Sequence, residues 1–448
     1  MNKLDSSLVT SAMKDAGFVL TEKVEDAQVV LINTCSVRRH AEQRVFSHLG
    51  NLKHIKKTQP DLIVVVMGCM AQRLGNELLD YPAVDIVVGP TQIPQIPQLV
   101  AKAQAKKTRP VSVTTKIRKK SSTAEVQALE HLEPGYDSDA NYITAQAFVR
   151  VMRGCDKFCT YCVVPYVRGP EISRPPQAII EQIKTLADAG VKQVTLLGQT
   201  INSYNYSAGD KTYRLGDLLD MASQVNGIRW IRFITSHPNK FDDEILHAMA
   251  DMEKVCPYLH IPAQSGSDKI LKAMNRKYTG DEYLGLLERA RDIVPDIAIA
   301  GDFIVGFPGE TDEDFAATVE LVKKAKYKNC FVFKYSPRPG TRAIDKLEDD
   351  VTLEVKKQRN AELLEIQNRI SEEDNKSFLN TAVEVLVEGP SKKPHLNSAQ
   401  HDNEPQLIGR TATDHIVVFN GPPSLAGEFT KVNITKTNAL TLFGELIE

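Results

Sequence analysis

The sequence predicts an α/β protein of three parts: an N-terminal doubly wound α/β domain, a central partial (β/α)6 TIM-like barrel, and a small C-terminal OB-like β-barrel. Three observations predict it. Short apolar runs alternate with helical stretches up to residue 103, the pattern of a parallel sheet covered on both faces. The alternation resumes at Ile143 and continues to Tyr335 as six βα units, which suit an open TIM-like barrel. Beyond residue 380 the texture changes to five short strands separated by Gly, Pro and Asn, as in a small barrel.

A chain of 448 residues has room for two to four domains. Its 42% hydrophobic and 25% charged residues are ordinary for a globular protein. There is no apolar run of about eighteen residues, and MNKLDSSLVT lacks the apolar centre of a signal peptide. The expectation is a cytoplasmic protein with no membrane partner. Its seven cysteines then point to metal or core roles rather than disulfides. A net charge of −2 does not advertise nucleic-acid binding, although a local basic patch suffices for it.

The first part, 1–103, opens on a helix at 8–16 that ends at Gly17. Residues 27–33 form a strand ending in Thr34-Cys35-Ser36, and a helix follows through His48. Residues 62–67 form a second strand ending in Gly68-Cys69, a helix begins near Gln72, and 84–88 is a third strand. Such a domain should begin with a strand, so a central strand is expected to be missing. Cys35 and Cys69 each lie just past a strand end, on one edge of the expected sheet, where they can converge. Position alone equally allows two unrelated loop cysteines. Residues 104–141 read as a mobile linker, basic from Lys106 to Lys120 and then acidic. The basic run reads as a solvated tail, with an RNA contact as its alternative.

The central part, 142–375, has strands near 146–152, 192–198, 229–235, 257–262, 297–305 and 330–335. Helices fall near 176–189, 215–225, 241–251, 267–274, 280–293 and 311–325. Gly154 ends the first strand, and Cys155, Cys159 and Cys162 follow with three and then two residues between the sulfurs. That spacing lets three thiolates take three irons of a [4Fe–4S] cube and leaves the fourth iron open for chemistry. A zinc site would want a fourth ligand, and no second CxxC lies nearby. A disulfide would leave an odd thiol, and the intervening Gly, Asp, Lys, Thr and Tyr do not resemble core. Polar residues gather at later strand ends: Gln199 and Asn202, Ser236 and His237, Gln264 and Ser265, then Glu310. Singly, each reads as a loop residue, and His237 as a hydrogen-bonded structural one. Cys256 and Cys330 read as small core residues.

Residues 352–379 read as a charged amphipathic helix lying across the open barrel. The last part, 376–448, has strands at 383–387, 406–408, 415–419, 429–434 and 440–447. Lys392, Lys393, Arg410, Lys431 and Lys436 can contact phosphates, with Phe419 and Phe429 read as core rather than stacking platforms.

CxxxCxxC with Tyr161 before its last cysteine resembles the radical S-adenosylmethionine (SAM) superfamily. The wider string runs from Arg153-Gly154-Cys155 through Cys162-Val163-Val164-Pro165-Tyr166 to Arg168-Gly169 and Ser173-Arg174-Pro175. It resembles the methylthiotransferases, and among them the bacterial enzymes that methylthiolate an isopentenylated adenosine in tRNA. The resemblance covers nearly the whole chain. It implies a central [4Fe–4S] cluster on Cys155, Cys159 and Cys162 that binds SAM at its open iron, with Tyr161 near the adenine. The strings LLGQ, ITSHP, PAQSGS and GDFIVGFPGE, carrying Gln199, Ser236, Gln264 and Glu310, resemble the SAM-side motifs. A second [4Fe–4S] cluster is implied on three cysteines, of which Asn33-Thr34-Cys35 and Gly68-Cys69 match two.

The family's first cysteine precedes a Met-Asn-x-x-Asp-Ser string, with which this chain begins. The expectation is an N-terminally truncated chain with an incomplete second cluster and defective sulfur insertion. The implied reaction takes hydrogen from C2 of adenosine 37 by a 5′-deoxyadenosyl radical, with sulfur supplied from the second cluster. The tail resembles the RNA-binding TRAM module through Gly409-Arg410-Thr411, which implies tRNA contacts for Lys392, Lys393 and Arg410. Implied partners are the tRNA anticodon loop and an electron donor such as flavodoxin or ferredoxin. Sibling activities on threonylcarbamoyl-adenosine or a ribosomal-protein aspartate are the near alternatives. A non-catalytic iron–sulfur electron-transfer or RNA-binding protein is the distant one.

Overall fold

The computed structural model describes residues 1–34, 39–106, 112–113, 123–133, 145–391 and 405–447. They fall into two units, Met1–Asn141 with Met152–Arg174 and Arg338–Thr341, and the remainder.

In the first unit the run IVVVM decides the layering. Successive strand residues face opposite ways. Val65 and Met67 therefore join one apolar cluster, with Leu8 and Val9 of helix α1 (Asn2–Asp15). Val64 and Val66 of the same strand join another, with Val45, Leu49 and Leu52. Strand β1 (Val29–Thr34) leads into α2 (Arg39–Thr58), which supplies that second cluster. Strand β2 (Ile63–Gly68) is buried throughout and leads into α3 (Cys69–Leu74). Strand β3 (Ile86–Val88), helix α4 (Ile96–Lys106) and strand β4 (Ser112–Val113) complete a parallel sheet in the order β1-β2-β3-β4. Strand β1 pairs directly with β2 from Val29↔Ile63 to Thr34↔Gly68.

The segment expected to be a mobile linker contains helix α5 (Thr123–Leu132). Its Leu129 is buried in the α1 cluster, so tertiary packing orders a helix too short to be stable alone. Strand β5 (Gln146–Arg150) belongs to the second unit, after which the chain returns to the first. There β6 (Met152–Arg153) and β7 (Ile172–Ser173) form a two-stranded ribbon, with the short α6 (Val164–Val167) in the loop between them.

The second unit continues with α7 (Pro176–Asp188) and β8 (Gln193–Leu197), which pairs parallel to β5. A hairpin of β9 (Asn205–Ala208) and β10 (Lys211–Arg214) follows, closed at Gly209 with φ 59°. Then come α8 (Leu215–Ser223), β11 (Trp230–Ile234), α9 (Asp243–Asp251) and β12 (Tyr258–His260). Helices α10 (Asp268–Ala273) and α11 (Gly280–Ile293) precede β13 (Ala298–Val305), and α12 (Asp312–Ala325) precedes β14 (Asn329–Lys334). The strands form two parallel sheets, β11-β8-β5 and β12-β13-β14. Backbone bonds such as Ser236 N to His260 O, 3.0 Å, link β11 to β12. The result is the six-stranded open arc that the alternation predicted. Short α13 (Arg342–Lys346) leads to α14 (Leu353–Asn375), which lies on β14. Gln367 accepts from Cys330 at 3.2 Å, and Asn360 donates to Val332 O at 2.8 Å.

Strands β15 (Ala382–Pro390), β16 (Gln406–Arg410), β17 (Ile416–Asn420), β18 (Phe429–Thr437) and β19 (Thr441–Leu446) close a barrel in the order β15-β16-β17-β19-β18. Phe419 lies in its core. Phe429 packs edge-on against Trp230, with ring centres 4.7 Å apart, and so helps bind barrel to arc.

Candidate active site

The cysteine loop is closed at its base by the β6–β7 ribbon, Met152↔Ser173 and Arg153↔Ile172. Gly154 turns out of the ribbon at φ 74°, where a Cβ would sit 1.8 Å from Pro170 O, so only glycine fits. Asp156 and Glu171 clip the loop by accepting each other's backbone N–H, at 3.3 and 3.1 Å. Cys155 and Cys159 are buried and Cys162 half-buried. The N–H of Val164 points at Cys162 Sγ from 3.4 Å, which favours a thiolate there. Among the described residues no three His, Cys, Asp or Glu side chains are placed to share one metal ion. A [4Fe–4S] cube makes no such demand, because each thiolate takes its own iron. The all-sulfur donor set and the amide aimed at sulfur fit the cube. Tyr161 lies in this loop, half-exposed.

On the same unit, scattered short motifs meet at Cys69. Gly68, at φ 96°, passes so close to β1 that a Cβ would lie 2.5 Å from Asn33 Oδ1. Asn33 in turn donates to Ser6 Oγ at 2.9 Å. Cys69 packs with Val163 and Val167 of the cysteine loop. Between them Arg168 reaches Asp5 at 2.6 Å and hydrogen-bonds Cys69. Burial opposes the Arg168 charge, but Asp5 and Cys69 more than offset it and hold the guanidinium's pKa above its ordinary value. The edge contact expected between Cys35 and Cys69 cannot be drawn, since Cys35 lies outside the described residues.

In the second unit, the register Ile234↔Leu197 places Ser236 and Gln199 at equivalent positions, two residues past β11 and β8. Both amide atoms of Gln199 and the Ser236 hydroxyl are buried without a hydrogen-bond partner. Thr235 and Gln264, at the ends of β11 and β12, both have φ 73°, a strained conformation of the kind that clusters at sites. Buried polar atoms left open at strand ends suit a polar ligand such as SAM. His237 is held beside them: its Nδ1 accepts from Asn239 N at 3.1 Å and its ring stands edge-on to Tyr278.

Glu310 is different again. Its carboxylate accepts from Gly306 N at 2.7 Å and pairs with Arg359 of α14 at 2.8 Å. Burial raises its pKa against the pull of these donors. Arg410 pairs with Glu388 at 2.9 Å and Asp414 at 3.2 Å, in a network that also holds Lys328. Lys392 and Lys393 lie outside the described residues. Cys256 and Cys330 are buried, and burial pushes the Cys256 thiol up to about 11 and raises that of Cys330 well above its ordinary value, so both stay protonated.

Sequence reasoning missed several neighbours. Asp302 pairs with Phe331 and Ile304 with Phe333 in register, so Phe331 and Phe333 share the face of β14 opposite Cys330 and α14. Both rings are exposed, at 50% and 37%. On that face His260 Nε2 meets Asp302 at 3.3 Å. The period-two run Phe-Val-Phe was the available signal.

Comparison with known proteins adds three family matches: the Radical SAM superfamily over residues 149–322, Uncharacterized protein family UPF0004 over 1–89, and the TRAM domain over 376–447. The tRNA-2-methylthio-N(6)-dimethylallyladenosine synthase of Rhodopirellula baltica is 42% identical over 447 residues, 100% of this chain and 93% of that protein. The same-named proteins of Clostridium novyi and Carboxydothermus hydrogenoformans are 41% and 40% identical over all of this chain and 94% and 97% of theirs. Among solved structures, the radical S-adenosylmethionine methyltransferase TsrM from Kitasatospora setae, with cobalamin and a [4Fe-4S] cluster bound, superposes with a TM-score of 0.54. At 14% identity, over 76% of this chain and 73% of that one, it shows a shared fold.

Proposed function

We infer the function from kinship: the chain belongs to the family of tRNA-2-methylthio-N(6)-dimethylallyladenosine synthases. It is a radical SAM transferase that adds a methylthio group to C2 of N6-isopentenyladenosine at position 37 of tRNA. Its cofactors are SAM and [4Fe–4S] clusters, two in this family. The observation that carries the reading is the loop holding Cys155, Cys159 and Cys162, in a chain that ends in a TRAM module. When bound, SAM and the clusters supply the radical and the sulfur. The protein's residues hold, orient and exclude.

Cys155, Cys159 and Cys162 would hold the SAM-binding cluster, and Cys35 and Cys69 would contribute to the second. Gln199 and Ser236 would bind polar groups of SAM, with Gln264 shaping the same edge and Tyr161 near the adenine. Glu310 would act one step removed, by fixing the turn that starts at Gly306. The exposed Phe331 and Phe333 offer a face on which an unstacked base can lie. Exposed Lys431 and Lys436 of the barrel suit tRNA phosphates, with Lys392 and Lys393 as further candidates. We propose 1–103, 142–375 and 376–448 as the functional parts joined by 104–141, a flavodoxin- or ferredoxin-like electron donor, and a cytoplasmic location. For the last, the support is that no described helix is long and apolar enough to cross a membrane.

With both clusters reconstituted, anaerobic incubation with SAM, reductant and isopentenylated tRNA should yield 2-methylthio-isopentenyladenosine on nucleoside mass spectrometry. Methylthiolation of threonylcarbamoyl-adenosine or of a ribosomal-protein aspartate in its place would overturn the substrate assignment.

A further inference from the structure

We propose that helix α5 is a strap that sets the cysteine loop against the strand end bearing Cys69, and that Glu130 and Glu133 are its positioning residues. The inference rests on the functional reading only in supposing that two clusters must keep a set separation. It starts from a spacing. Glu130 and Glu133 lie three apart, so they share one side of a helical turn. Each meets one arginine of the ribbon that closes the cysteine loop. Arg174 clasps Glu130 through Nε, at 2.9 and 2.8 Å to the two carboxylate oxygens, and through Nη2, at 2.6 Å. Arg153 pairs with Glu133, whose side chain is fully buried. The two arginines sit on opposite strands of the ribbon, one just past β7 and one within β6.

The helix is itself anchored. Leu129 is 2% exposed within the cluster formed by α1, β2, β3 and α4, with Leu132 packed against it. One side of the helix is thus held by the sheet's apolar layer and the other holds both strands at the loop's base. A third tie, Arg168 to Asp5, holds the far side of the loop to the N-terminus of α1. Together these give the cysteine loop three ionic fastenings to the domain that carries Cys69. A bidentate guanidinium–carboxylate pair fixes angle as well as distance, which a flexible linker would not do.

The test uses the full chain with Glu130→Gln and Glu130→Asp singly, and Glu130→Gln with Glu133→Gln together. Iron per chain is measured, together with 5′-deoxyadenosine per methylthiolated nucleoside and the magnetic interaction between reduced clusters by electron paramagnetic resonance. The strap predicts unchanged iron, SAM cleavage retained, and a 5′-deoxyadenosine-to-product ratio raised roughly tenfold in the double variant, because a small misplacement uncouples two otherwise intact centres. The intercluster interaction should weaken, and Glu130→Asp should fall between wild type and Glu130→Gln. An unchanged ratio and an unchanged interaction overturn the proposal. So does loss of iron in the single variants, which would make the helix a folding element only. If the wild type holds both clusters, about eight irons per chain, and still forms no methylthiolated product, the functional reading fails, and the magnetic interaction still decides for or against the strap.

Discussion

In the cysteine loop Arg153, Arg168 and Arg174 each meet a carboxylate, whereas past β8 and β11 Gln199 and Ser236 bury polar atoms that meet nothing in the protein. A buried polar atom without a partner costs roughly 1–3 kcal/mol, so a fold does not carry three of them idly. The paired set is architecture: it holds the loop's shape before any cofactor arrives. The open set is where a ligand would complete the bonding. Glu310 lies in the string that resembles a SAM-side motif, and its carboxylate is already engaged by Gly306 and Arg359, as in the paired set.

The sharpest break in this comparison comes at the loop itself. Cys155→Ala, Cys159→Ala or Cys162→Ala removes one cluster thiolate, and 5′-deoxyadenosine formation under anaerobic reducing conditions should fall below detection. Undiminished SAM cleavage in any of them would remove that residue from the donor set. Next in size is Arg359→Ala, which leaves the Glu310 carboxylate buried without its cation. Losing one partner of a buried pair costs roughly 3–5 kcal/mol. Denaturant unfolding should show that loss, and a shift below about 1 kcal/mol would mean Glu310 is not held as described.

The open set should respond in the opposite way. Gln199→Ala and Ser236→Ala remove unpartnered atoms, so melting should stay level or rise slightly. SAM affinity should drop roughly tenfold, about 1.4 kcal/mol. A variant that melts lower and binds SAM normally would place that residue in the architecture instead.

Much of this was legible in the sequence, and what was not has a physical reason. The six strands of the arc and the five of the barrel follow from β-branched runs with local turn signals. The cysteine loop was readable because its three cysteines lie within one short stretch. The Arg168–Asp5 pair was not, because its members are 163 positions apart and neither carries a local signal. The surroundings of helix α5, basic on one side and acidic with Gly and Ser on the other, read as linker. The packing of Leu129 that orders it is a tertiary fact. The β9–β10 hairpin was missed although Gly209-Asp210 between alternating Tyr206 and Tyr213 announced it.

Among paired groups, those at the join of arc and barrel give a pH-dependent effect. Burial first, and then Lys328 and Arg232 against the opposing Asp414, take His415 from an ordinary 6.5 down to about 3. The unfolded chain binds a proton below pH 6.5 that the folded chain refuses until about pH 3. Stability is therefore full above 6.5 and falls with acidification through that window, by at most about 1.4 kcal/mol per pH unit. His415→Gln should flatten that part of the pH–stability curve. An equal slope in the variant would show that other groups carry it.

The smallest expected effect concerns Arg410, which sequence reasoning placed at tRNA phosphates. Its guanidinium donates to Glu388 and Asp414, and Asp414 also faces Lys328 and Arg232 from the arc. A cation already neutralised by two carboxylates releases few counterions when a phosphate approaches. Its removal should therefore leave the salt dependence of tRNA binding nearly unchanged. The Arg410 pairs are about one-third exposed, so their loss should cost at most about 1 kcal/mol of stability. Lys431 and Lys436 supply the contrast: they are exposed on the outer surface of the same barrel. Lys431→Ala with Lys436→Ala should shift the slope of log affinity against log salt by nearly one unit for each phosphate left without its lysine. Arg410→Ala should shift it by a small fraction of that. If Arg410→Ala moves the slope as much as either lysine does, the Glu388 and Asp414 pairs open on binding, and Arg410 passes from the paired set to the ligand-facing one.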